Sequence, residues 1–241
     1  MGAEASHIRQ QLHSPDMPVV AIDRRFCRDT VTSVRIRQDA LYHPSRGVVK
    51  ELCLDDKSSS LLFHLTDQDT KSPDARVLLD ADGVPIVYLH ERNRAVMRGF
   101  MVSHDVDGYN ELCSIKRKHL TADPVRVRFK DLASGRLCEM GASVLQTPHV
   151  LTALLWLDVG DGSGKQLPVG RFYFPTEYNK DRDEVRFMGT PHAGYEDGYE
   201  EDYRLDVMPN VDVALAVLVA SVAATLKDPK RRNGESESIK D

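Results

Sequence analysis

Residues 209–229 read PNVDVALAVLVASVAATLKDP, and the run inside them, VDVALAVLVASVAATL (211–226), decides the fold. After Asp212 it carries no charged residue until Lys227. Leu215, Leu218, Val222 and Leu226 form one helical stripe, but Val213, Val217 and Val219 fill the other faces. A helix that is apolar all round belongs inside something. Ser221 and Thr225 can return their hydroxyls to carbonyls one turn back, so neither needs a partner outside the helix. Asn210 is read as the N-cap, Asp212 and Lys227 suit the two ends of the dipole, and Pro229 stops the helix. The span predicted is 211–227.

A bilayer span needs about 17–25 apolar residues, more than this run offers, and a signal peptide would sit at the other end of the chain. The remaining surroundings are protein. Eight large side chains are involved: Val211, Val213, Leu215, Val217, Leu218, Val219, Val222 and Leu226. Their gross burial is on the order of 10–25 kcal/mol before ordering entropy is subtracted, enough to organise a domain.

The rest of the chain supplies strands. Apolar or alternating runs fall at 19–22, 33–37, 48–54, 60–65, 75–79, 85–90 and 99–104. They continue at 111–117, 125–130, 136–140, 152–159, 170–174, 184–188 and 203–208. Turn pairs such as Asp82-Gly83, Asp107-Gly108, Ser134-Gly135 and Asp161-Gly162 break them. Short strands at regular spacing indicate a sandwich or barrel. A closed antiparallel barrel with the apolar helix in its lumen satisfies both observations, since closure removes edges and the helix fills the tube. Residues 1–17 read as a flexible arm, 18–228 as the barrel domain, and 229–241 as a disordered polar tail.

The 241 residues are 41% hydrophobic and 29% charged, with a formal net charge of −5. That balance fits an ordinary globular domain and gives nucleic acid little to bind, so none is expected as a partner. Cys27, Cys53, Cys113 and Cys138 are widely spaced and lack a zinc-ligand pattern, which points to free thiols in a reducing compartment. A cytoplasmic monomer is expected.

The strand-turn-strand of Val77 to Ile86 (VLLDADGVPI) resembles that of LURP-one-related proteins, as does Leu112 to Arg117 (LCSIKR). The strand Tyr203 to Met208 leading into Pro209-Asn210-Val211-Asp212 and the apolar helix is similar too. Such proteins look like the C-terminal domain of tubby and like phospholipid scramblases. The resemblance implies a barrel of about twelve strands around a hydrophobic C-terminal helix. It also implies a non-enzymatic role: binding anionic phospholipid such as phosphoinositide, contacting protein partners in a defence-type pathway, or handling lipid in a calcium-dependent way. The chain departs from the family pattern after Ile86, where Val-Tyr-Leu-His-Glu-Arg replaces a run of basics, and in a helix richer in Ala.

No catalytic constellation, cofactor motif or metal-ligand set is read. GDGSGK (160–165) fails as a phosphate loop because Val159 stands where its first glycine belongs and Gln166 follows the lysine. Asp105, Asp107, Asn110 and Glu111 fit a hairpin turn better than a calcium loop, because Gly108 comes too early. The acidic run Glu196, Asp197, Glu200, Glu201, Asp202 suits either calcium or a solvated loop. The basic strands are more informative. In Val125 to Lys130 the apolar residues take one face, and Arg126, Arg128 and Lys130 take the other. Val34 to Arg37 repeats the pattern, and Lys116, Arg117 and Lys118 lie on or beside a neighbouring strand. Cations two apart on a strand sit ~6.5–7 Å apart, a spacing able to grip separate phosphates of one headgroup. The same residues equally suit a charged barrel exterior balanced by Asp and Glu.

Two further signals point toward membrane. Met1 to Ser6 fits the pattern for myristate on Gly2. Lys227, Lys230, Arg231 and Arg232 could add attraction to an anionic surface, the second signal a single myristate needs. Together they suggest peripheral docking at the inner face of the plasma membrane.

Overall fold

The computed structural model describes residues 10–36, 50–55, 58, 60–67, 75–94, 97–117, 123–146, 151–173 and 203–224. Gly2, Lys118, the expected strand 184–188, the acidic run 196–202 and the basic residues from Lys227 onward lie outside them. Among the described residues twelve strands precede one α-helix. In chain order they are β1 (Thr32–Ile36), β2 (Lys50–Asp55), β3 (Leu61–Asp67), β4 (Ala75–Asp80), β5 (Pro85–Arg94) and β6 (Met97–Ser103). There follow β7 (Glu111–Arg117), β8 (Val125–Lys130), β9 (Leu137–Gln146), β10 (Leu151–Asp158), β11 (Leu167–Tyr173), β12 (Tyr203–Val207) and α1 (Val213–Ala224).

Every strand pairs antiparallel with its sequence neighbours, and β1 bonds both β2 and β12, which closes the sheet into a barrel. Alternation does the rest. Val34 and Ile36 of β1, Cys113 and Ile115 of β7, Val125, Val127 and Phe129 of β8, and Leu205 and Val207 of β12 turn inward with their counterparts elsewhere. They form one cluster with every α1 residue from Val213 to Ala220 and with Val222, Ala223 and Ala224. All twelve helix residues are buried, and Leu215, Val217, Leu218 and Val219 are wholly inaccessible. No helix of the described residues is long and apolar enough to cross a membrane.

The helix start differs from the sequence reading in its chemistry. Asn210 does not cap it; this residue has φ 65° and lends its side-chain N–H to the Pro15 carbonyl. Asp212 is the cap: its Oδ1 accepts Leu215 N–H at 3.2 Å, and its carbonyl accepts Ala216 N–H at 3.1 Å. The described helix therefore begins at Val213, not Val211.

Residues 19–22 also depart from expectation. They form no strand but a strap across the barrel end where α1 starts, with an isolated bridge from Val19 to Val211. Val19, Val20, Ala21 and Ile22 are buried there. Chain from the expected arm is fastened to the barrel as well: His13 N–H donates to Pro168 O at 2.7 Å, and Arg171 donates to Gln10 O at 2.8 Å.

With the strands antiparallel, the β2–β3, β4–β5, β6–β7, β8–β9 and β10–β11 turns all fall at the strapped end. Each uses an aspartate at the strand end to hold its own backbone. Asp80 accepts the Asp82 and Val84 N–H groups, Asp105 accepts those of Tyr109 and Asn110, and Asp161 accepts that of Ser163. Gly83 and Gly135, at φ 80° and 75°, occupy left-handed turn positions that a side chain would strain.

Candidate functional site

The cations singled out on β8 all lie on the barrel exterior, because Val125, Val127 and Phe129 take the inner positions. Strand pairing then sets their neighbours. One exterior row runs across four strands as Trp156, Gly141, Arg126 and Lys116. The next runs as Asp158, Glu139, Arg128 and Ser114. Lys130 sits opposite Leu137 nearer the strapped end. The structure thus brings Arg126, Arg128, Lys130 and Lys116 onto one face.

Arg117 does not join them. Alternation puts it in the row of Cys113 and Ile115, with the core residue Val125 as its pairing partner. Its cation is directed away from the exterior grid, so Lys116 and Arg117 do not act as a unit.

The arginines are held from several sides. Arg126 donates to Asp123 at 3.0 Å and to Glu139 at 3.4 Å. Arg128 Nε donates to the other oxygen of Glu139 at 2.5 Å, which raises the Arg128 pKa further through that bond and the adjacent charge. Beneath Arg126 lies the ring of Trp156, 5.4 Å from centroid to guanidinium carbon. Gly141 makes that contact possible. A Cβ there would stand 2.3 Å from Trp156 Cζ2, so only the bare backbone lets the indole reach across β9 to the guanidinium. Asp123 is itself held by the Ser143 hydroxyl.

Glu139, Asp123, Trp156 and Gly141 were not singled out from sequence. Of these, only Glu139 left a trace there, as the lone acid flanked by Cys138 and Met140, whose inward positions force it outward opposite Arg128.

Several other titratable groups are engaged within the fold. Burial pushes the Asp212 carboxyl up, against the pull of backbone N–H groups from Ile22, Leu215, Asp23 and Ala21. Burial likewise raises the Cys113 thiol to about 12 and that of Cys138 to about 11, and both are free. Asp105 and Asp161 are occupied by their own turns, and among the described residues no group of three His, Cys, Asp or Glu could hold a metal. The exterior of β7–β9 thus sets Lys116, Arg126, Arg128 and Lys130 around the carboxylates of Glu139 and Asp123.

No family model matches the chain, and no curated protein matches it. Among solved structures, the X-ray structure of a protein from Arabidopsis thaliana is similar, with 16% identity over 87% of this chain and 99% of that chain and a TM-score of 0.49.

Proposed function

We infer that the protein is a non-enzymatic module that docks on anionic phospholipid through the exterior face of β7–β9. The observation that carries this reading is the grid formed by Lys116, Arg126, Arg128 and Lys130, in which Glu139 and Trp156 fix the guanidiniums before any ligand arrives. Four cations meet three carboxylates there, Asp123, Glu139 and Asp158, which leaves one net positive charge on the face of a chain whose formal charge is −5. Arg128 keeps 72% of its side chain exposed, so its remaining N–H groups are open to a phosphate. Lys116 and Lys130 are exposed beside the arginines and add point charges to the row.

Such a surface binds by counter-ion release and attraction, which salt screens. Vesicles of phosphatidylcholine with phosphatidylserine or a phosphoinositide should sediment the protein at low salt, and less of it as salt rises. Arg126→Ala with Arg128→Ala should weaken that binding. Absent binding, or binding indifferent to salt and to these substitutions, ends the proposal.

A further inference from the structure

The strapped end of the barrel carries exposed large hydrophobic side chains: Met17, Val31, Val84, Val106, Tyr109, Leu132 and Leu137. Two of them, Leu132 at 56% and Leu137 at 67% exposure, share the β8–β9 hairpin with the cationic face just described. We propose that this hairpin tip is a lipid-inserting point, its leucines entering the interface of an anionic bilayer while the β8 cations hold the headgroups. The proposal rests on the lipid reading above and says which part of the molecule enters the membrane.

Neither leucine is exposed because its turn is loose. Asp131 N–H donates to Arg136 O at 2.8 Å, and Gly135 N–H donates to Asp131 O at 2.7 Å. The Asp131 carboxylate, itself buried, accepts the N–H groups of Val20, Ala133 and Ser134 and the Ser134 hydroxyl. Leu132 N–H donates to Val20 O at 2.8 Å. The turn is tied internally and to the strap, so it presents both leucines on a fixed support and loses little freedom on docking.

The apolar surface does not stop at the two side chains. A groove of about 390 Å³ opens between turn and strap, lined by Val20, Ile22, Leu132 and Ala133 with Asp23 and Arg24 at its edge. The charge beside it selects the partner. Lys130, Arg136 and Arg24 are exposed around it. Of the nearby carboxylates, Asp131 is consumed by the turn and Asp23 is paired with Arg25 at 3.3 Å. Asp158 and Asp161, on the next hairpin, are opposing charges: Asp158 accepts the Gly160 N–H at 2.9 Å, and the Asp161 carboxyl is held below the usual range by the bonds from Ser163, with Arg136 contributing. Apolar residues beside Lys130 and Arg136, continuous with a cationic strand face, match the interface of a bilayer bearing anionic lipid.

The test compares wild type, Leu132→Ser with Leu137→Ser, and Leu132→Trp on phosphatidylcholine vesicles with and without phosphatidylserine. A soluble short-chain phosphatidylserine below its micelle concentration reports headgroup binding alone. Both leucines are exposed, so the double variant should keep the wild-type urea midpoint. It should lose about tenfold or more in affinity for the anionic vesicles while binding the soluble headgroup like wild type. Leu132→Trp should bind the vesicles at least as tightly as wild type, since indole favours the interface. If the double variant binds vesicles as well as wild type does, insertion at this hairpin is overturned while the lipid reading stands. If wild type binds neither vesicles nor soluble headgroup, both fall. If wild type self-associates in sedimentation velocity and the double variant does not, a second copy covers the leucines and the proposal is wrong.

Discussion

The carboxylate of Asp212 accepts the backbone N–H of Ile22 at 2.7 Å, joining residues 190 positions apart. The same oxygen accepts Ala21 N–H at 3.1 Å and Asp23 N–H at 3.3 Å, while the second oxygen caps α1 at Leu215. One side chain thus locks the strap over the barrel end and starts the helix that fills it.

Asp212→Ala should leave those four donors without their acceptor. Unsatisfied buried donors together with a lost cap should cost about 3–5 kcal/mol. Urea unfolding measures this directly, and limited trypsin digestion should show early cleavage at Arg24 or Arg25 as the strap lifts. A loss below ~1 kcal/mol would mean that the strap is held by packing alone.

Asp131 provides a pH signature. Burial pushes its carboxyl up, but the bonds from Ser134, Val20 and Ala133 outweigh burial and hold it below the usual carboxylate range. A folded-state value beneath the unfolded one, about 3.9, gives stability that is present above that pH and lost as pH falls through the folded value. Asp131→Asn should therefore be less stable than wild type near neutrality by about 2 kcal/mol, with the gap narrowing below pH ~4. Urea midpoints at several pH values test this, and a gap constant with pH would contradict it.

Gly141→Ala should disturb the indole beneath Arg126. The added Cβ would meet Trp156 Cζ2 at 2.3 Å, so the ring must move, at a cost of about 1–3 kcal/mol. Trp156 is the single tryptophan of the chain, which makes its fluorescence a specific reporter. The emission should shift to the red, and vesicle binding should weaken because Arg126 loses its support. An unchanged spectrum would show that the ring has room to spare.

Glu139→Gln separates a pre-organised binding face from a merely self-neutralised one. Removing the carboxylate shared by Arg126 and Arg128 raises the local positive charge at the loss of two partly exposed ion pairs. Binding to phosphatidylserine vesicles at low salt should weaken, by up to about fivefold for ~1 kcal/mol of lost pre-organisation. Tighter binding would mean instead that Glu139 competes for the arginines more than it orients them.

Much of this architecture is legible in the chain because it rests on local periodicity. An all-round apolar run can only be an interior helix, and an alternating run such as Val125 to Lys130 assigns its own inner and outer faces. The strands at 111–117 and 125–130 coincide with β7 and β8 for that reason. Local patterning misleads where a segment's partners are remote. Val19 to Ile22 has the composition of a strand, yet its donors are taken up by Asp131, Asp212 and the Asn210 carbonyl, more than a hundred residues away.

By itself the sequence determined the kinds of element, the buried helix, and the cations on the outer side of β8, since each depends on residues within a few positions of one another. Tertiary structure alone decided which charges meet. Barrel pairing set Glu139 against Arg128 and laid Trp156 across Gly141 under Arg126. Those outcomes depend on strand register, which is set by hydrogen bonds between distant segments and leaves no periodic mark in either strand alone.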